Sequence, residues 1–380
     1  MVISTLHHSY IIVLCIEQNM STCKYNDARI SPDKRELMFN HDKSSCFMHS
    51  LLVALFFPSR MCMLDPFFLD AKLVPTNRND ETSAKLLQLS DCLAFISSVV
   101  RGNIVSHPNI RYTRQTIGRL VTEIKALKEM GSRSEGKITT AVDFASSQQD
   151  PTDLLENLLE FFQVNGVFQT METIRRKYTN GKVTNNTVVH MMYRQSVVAL
   201  VATNKLVDLN NLFPYRDKLV INDDATGTYG EEDVLKSKTT TVYYAGGPAL
   251  FITREMVNME KNPIKYGTYN NRDKSYKLKF TDILTSNTVT FQLQSILCFC
   301  GSISKQVTHG HYVCYVYEEN SRSWWFYNDL SKSTRSVVSL LPVPESETLE
   351  TYPVGKTKDG RLVNPFMPST NGTLFMYAQM

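Results

Sequence analysis

The hydrophobic rhythm of the chain changes near its middle. In CFMHSLLVALFF, the residues Phe47, Leu51 and Leu55 recur at intervals of four, with Met48 and Leu52 on the adjoining stripe. That spacing predicts a short, mostly buried helix starting at Ser44 or Ser45, both good caps, and stopped by Pro58. DCLAFISSVVRG and TIGRLVTEIKALKEM continue as helices with charged faces, and GSRSEGK is the loop that ends the second. In SSQQDPTDLLENLLEFF, Asp150 and Pro151 read as N-cap and first helical residue. Leu154, Leu155, Leu158, Leu159 and Phe162 then form the buried stripe. METIRRKY fits a helix or a strand.

From about Asn180 the apolar runs become short and alternating, as in KTTTVYYAGGPALFITREMV, SYKLKFTDIL, TVTFQLQSILCFCGSI and GTLFMYAQM. In THGHYVCYVYEENSRSWWFYND, Tyr312, Cys314 and Val316 share one face and Val313, Tyr315 and Tyr317 the other. Trp324 to Tyr327 follow the polar turn formers Glu318 to Ser323, so the stretch predicts a hairpin. Its open end would bring His311 beside Asn328 and Asp329. A helical first half against a largely antiparallel second half is an α+β organisation, and with no Pro/Gly/Ser-rich linker between them the halves should share a cleft.

Composition narrows the function. The chain has 380 residues, 42% hydrophobic and 21% charged, which describes a globular protein with a large core. A net charge of +4 without a block of like charges gives no sign of a nucleic-acid partner. SYIIVLCI is too short to span a bilayer and reads as a first strand or buried segment; no other stretch approaches a transmembrane length, so no membrane insertion is expected. Eight cysteines without a CxxC pair suggest free thiols in a reducing, intracellular compartment, with Cys298 and Cys300 as small buried hydrophobes.

Cys46 is the candidate nucleophile, because a cysteine in the first turn of a helix should have its thiolate favoured by the helix dipole and unsatisfied N–H groups. The polar NHDKSS run before it offers Asn40 and His41 as donors to a developing oxyanion. His311 would be the base, oriented by Asn328 or Asp329. His309 reads as a loop residue and His49 as a helix-face residue. His309 and His311 lack further ligands at suitable spacing, so neither a metal nor another cofactor is expected.

Three separated boxes resemble the ubiquitin-specific protease family. SSCFMHSLLVALFF is similar to its NTCYMNSxLQxLF box, QQDPTDLLENLLEFF to QQDAxEFLxxLLxxL, and GHYVCYVYEENSRSWWFYNDL to GHYxxYVR...WYxFNDxxV. The closing TLFMYAQM resembles the family's last strand. The resemblance implies a papain-like cysteine peptidase with thumb, palm and reduced fingers. Residues 1–35 would be an N-terminal extension or first strand and 36–380 the catalytic domain, with the thumb at about 36–175 and fingers and palm at about 176–380. It implies that Cys46 attacks the carbonyl after the Gly-Gly tail of ubiquitin, His311 carries the proton, Asn328 orients the imidazole and Asp329 supports the site. Gln149, Asp150, Gly310 and Tyr312 would contact substrate, Asp150 facing the basic tail and Tyr312 walling its groove. The expected partners are ubiquitin or ubiquitinated proteins, in cytoplasm or nucleus, whether of the source cell or of a host. The chain departs from the family in lacking the glycines before Cys46, in placing His41 where the oxyanion asparagine usually stands, and in lacking CxxC pairs between Tyr178 and Met256. These departures keep open an inactive ubiquitin-binding scaffold, and the tail groove keeps open a ubiquitin-like modifier or a Gly-Gly polyprotein site.

Overall fold

The computed structural model describes residues 45–70, 80–103, 110–131, 144–145, 149–164, 166–180, 183–195, 197–200, 206–211, 216–220, 233–244, 246–254, 263–281, 286–301, 310–329, 340–352, 355–356, 362–363 and 366–380. Its four main helices are α1 (Cys46–Phe56), α2 (Asp80–Val100), α3 (Ile110–Gly131) and α4 (Pro151–Phe161). All eleven residues of α1 are buried, so this helix is embedded rather than amphipathic. Pro58 follows its end, as expected, and Ser45 is its N-cap without a capping side-chain bond. Helix α4 does use its cap: the Asp150 carboxylate accepts from the Thr152 N–H at 2.8 Å, and Pro151 occupies the first turn.

Helix α2 is, among the described residues, the one long and apolar enough to cross a membrane, which corrects the expectation that no stretch approaches that length. It is a core helix here: Leu86, Leu89, Leu93, Ile96 and Val100 recur at helical spacing and are fully buried.

The first strands, β1 (Phe168–Asn180) and β2 (Val183–Gln195), pair antiparallel, and β1 also pairs with β5 (Asp233–Tyr244), which in turn pairs with β4 (Arg216–Val220). The ambiguous METIRRKY therefore lies in a strand: neighbours on both sides supply its backbone partners, which a single stretch of sequence cannot reveal.

The larger sheet positions the site. It is built from β3 (Val197–Leu200), β6 (Ala249–Arg254), β7 (Thr268–Asn270), β8 (Ser275–Thr281), β9 (Thr288–Gly301), β10 (Gly310–Glu318), β11 (Ser323–Tyr327), β12 (Leu341–Pro342) and β13 (Gly372–Gln379). Its order is β12-β11-β10-β9-β13-β6-β3, with β8 pairing β9 and β7. The β10–β11 hairpin forms as the alternation requires, with Cys314 opposite Tyr327 and Val316 opposite Trp325. One face of this sheet, carrying Phe299, Tyr312, Cys314, Val316, Trp325 and Tyr327, packs against the helices. The other, carrying Val313, Tyr315, Tyr317 and Phe326, joins a second core.

Hydroxyl pins lock α1 to that first face. Ser50 Oγ donates to the Tyr312 carbonyl at 3.1 Å, and Ser295 Oγ donates to the Ala54 carbonyl at 2.7 Å. At the helix end, Arg101 Nε donates to the Phe56 carbonyl at 3.1 Å while both terminal nitrogens grip Asp65 at 2.7 Å. The Ser50 and Ser295 contacts fix the helix that begins with Cys46 against β9 and β10, the strand that carries His311.

Candidate active site

Gly310 opens β10 opposite Gly301, with His311 opposite Cys300. A Cβ on Gly310 would lie 1.9 Å from the Phe299 ring, so any other residue here would have to displace that buried ring. His311 is half-buried, and the ring of Phe366 meets it edge-on with centroids 6.2 Å apart. Its Nε2 lies 2.8 Å from Asn328 Oδ1 and 3.5 Å from Asp329 Oδ1. Because the amide oxygen only accepts, Nε2 carries the hydrogen, which leaves the lone pair on Nδ1. The hairpin thus brings the candidate base His311 together with Asn328 and Asp329, and the short bond belongs to Asn328.

Cys46 stands at the start of α1 with 2% of its surface exposed. Its thiol is pushed up from an ordinary 9.0 to about 11. Burial is the main cause, the backbone N–H of Tyr312 pulls it down, Asp329 pushes it up, and the N–H groups of Phe47 and Cys46 pull it down. This corrects the expectation of a thiolate favoured at the helix start. The donors are there, but the buried sulfur loses more hydration than they return. The hydrogen bond from Tyr312 also locates the sulfur beside the residue that follows His311.

Asp150 and Gln149 sit half-buried before α4. Burial pushes the Asp150 carboxyl up, against the opposing bonds from Thr152. Tyr312, expected to wall a groove, lies fully beneath the surface with its ring 4.9 Å from that of Phe299. The strand period explains this burial, since Tyr312 shares the inward face with Cys314 and Val316. Its phenol is held well above the usual range by burial, then by the charges of Asp150, Cys46 and Asp153, and is therefore a neutral donor.

His49 is a further correction. Rather than facing outward from the helix, its side chain is 1% exposed, and Nδ1 lies 2.9 Å from Asp329 Oδ2. One signal was available: it lies three positions after Cys46, so both belong to the same side of the helix start. The expectation of free thiols holds for Cys46, Cys92, Cys298, Cys300 and Cys314 but not for Cys62, which is in a disulfide; the fold, not spacing along the chain, decides which sulfurs meet. Asn40, His41 and His309 lie outside the described residues. Among the described residues, no group of three or more His, Cys, Asp or Glu side chains is arranged to hold a metal ion.

The model of the family described as ubiquitin carboxyl-terminal hydrolase matches residues 39–339. Solved structures similar to the chain include two of one deubiquitinating module. The SAGA DUB module Ubp8/Sgf11/Sus1/Sgf73 bound to monoubiquitin matches at 12% identity and a TM-score of 0.50, over 97% of this chain and 74% of that one. The same module bound to ubiquitin aldehyde matches at 13% identity and a TM-score of 0.49, over 98% and 76%. None of the curated proteins compared with the chain matches it. The first likeness is one of fold, and with the family match it identifies an α+β architecture of the ubiquitin-specific protease type.

Proposed function

The chain belongs to the ubiquitin carboxyl-terminal hydrolase family, a family of deubiquitinating hydrolases, and from that premise we propose that it cleaves the peptide or isopeptide bond after the Gly-Gly terminus of ubiquitin by cysteine catalysis. The observation that carries this reading is the 2.8 Å bond from His311 Nε2 to Asn328 Oδ1, on a strand whose next residue donates to the Cys46 sulfur.

The chemistry follows from the protonation states. At neutral pH the Cys46 thiol holds its proton, and ionising it in advance would cost about 5 kcal/mol. The proton therefore passes to Nδ1 of His311 as sulfur adds to the carbonyl carbon. The resulting imidazolium keeps its Nε2–H on Asn328 and is favoured by the nearby Asp329 carboxylate. The backbone N–H at the start of α1 is one donor for the oxyanion, and His41 or Asn40 supplies the side-chain donor. Collapse breaks the C–N bond as His311 returns its proton to the leaving amine. Water, deprotonated by the same imidazole, then hydrolyses the thioester and regenerates the thiol.

Asp150, with Gln149 beside it, recognises the basic segment before the ubiquitin terminus, and Gly310 keeps the strand backbone open to the tail. Buried Tyr312 acts as a fixed support beneath that passage. Incubation with a ubiquitin–lysine isopeptide conjugate tests the reading: the wild-type chain should release free ubiquitin and Cys46→Ala should not. Equal release by both would overturn it. Conjugates of other Gly-Gly modifiers, run in parallel, define the substrate class.

A further inference from the structure

The family resemblance uses one histidine, yet the structure puts a second one into the same cluster. His49 and Asp329 are both buried, with side chains 1% and 0% exposed, and are joined at 2.9 Å through Nδ1 and Oδ2. The other carboxylate oxygen, Oδ1, lies 3.5 Å from Nε2 of His311. At the position of His49 the family box quoted above has asparagine, so this imidazole is a feature of this chain.

We propose that His49 is a positioning residue: from the helix that carries Cys46 it holds the Asp329 carboxylate so that its second oxygen faces the His311 ring. A carboxylate is acceptor-only, so His49 Nδ1 must donate. The backbone fixes the donor in turn, because the His49 N–H bonds the Ser45 carbonyl at 3.0 Å, one residue before the nucleophile. The nucleophile and the carboxylate that favours the imidazolium are thereby tied to the same helical turn. Without the donor, a carboxylate in so dry a place either takes up a proton or turns away, and in both cases its charge is lost to His311. The proposal rests on the reading of Cys46 and His311 given above.

Side-chain geometry supplies the test. An asparagine amide nitrogen can occupy nearly the place of an imidazole Nδ1, whereas a glutamine amide nitrogen corresponds to Nε2. Turnover of a fluorogenic ubiquitin C-terminal amide should therefore fall in kcat by about 10- to 100-fold in His49→Ala and in His49→Gln, the scale on which outer partners orient functional groups. KM should stay unchanged, and His49→Asn should recover most of the rate. A kcat within twofold of wild type in His49→Ala overturns the proposal. If His49→Ala does not fold, equal rates in the Asn and Gln variants overturn it. Alkylation of Cys46 by iodoacetamide, followed on its own peptide by mass spectrometry, is measured alongside and needs no ubiquitin. The same order of rates is expected, wild type and Asn above Ala and Gln, and identical rates overturn the role of His49. If the four proteins show this order of alkylation while the wild type ignores every ubiquitin substrate, the proposed function fails and the role of His49 stands.

Discussion

The high position of the Cys46 thiol has a consequence for stability that is independent of any substrate. In the folded protein the proton leaves at about 11, against an ordinary 9.0, so the folded state binds it more tightly than the unfolded chain does. A raised value of this kind contributes fully below the unfolded value and is lost as pH climbs through the folded one. Near pH 10 the unfolded thiol is mostly ionised while the folded one is mostly protonated, which lowers stability by about 1.4 kcal/mol relative to neutral pH. Cys46→Ala removes the titration, and its loss of packing is the same at both pH values. The stability difference between wild type and Cys46→Ala should therefore shift by about 1.4 kcal/mol, against the wild type, between roughly pH 7 and pH 10. Parallel urea unfolding curves of the two proteins, followed by tryptophan fluorescence, measure it. An unchanged difference would refute the reasoning, and a shift favouring the wild type at high pH would show instead a thiolate stabilised by the fold.

Other substitutions examine the neighbouring groups. Asn328→Ala should lower kcat by about 10²- to 10⁴-fold, because the imidazole loses the partner that fixes its tautomer. Asp329→Ala, which removes the more distant oxygen, should cost less, and the reverse order in steady-state kinetics would exchange the two roles. Asp150→Asn keeps a good helix cap while deleting the charge. It should raise KM for ubiquitin substrates with little change in melting temperature; an unaltered KM would remove Asp150 from substrate recognition.

Much of this arrangement was legible in the chain because it depends on local rules. The Asp150-Pro151 cap carries its own mechanism, and the alternation from Tyr312 to Tyr317 assigned each side chain to its face of the sheet before any neighbour was known. The polar turn after Glu318 likewise predicted that His311 and Asn328 would meet. What stayed hidden depends on packing from elsewhere. The Cys46 thiol is raised by burial beneath a strand more than 250 residues away, which a helix-dipole argument about residues 45 and 46 does not contain. His49 shows nothing in sequence to mark Asp329 as its partner, 280 positions on. METIRRKY could be read either way until β2 and β5 supplied partners on its two sides.

The proposed mechanism stands or falls with Cys46 as a nucleophile aimed at the terminus of ubiquitin. The most direct measurement is the intact mass of the protein after exposure to ubiquitin carrying a thiol-reactive electrophile in place of its terminal carboxylate, with peptide mapping of the adduct. One ubiquitin per chain should attach, at Cys46, with labelling abolished in Cys46→Ala and slowed in Asn328→Ala. An adduct on any other cysteine, or a wild-type chain that binds ubiquitin but stays unlabelled, would contradict it.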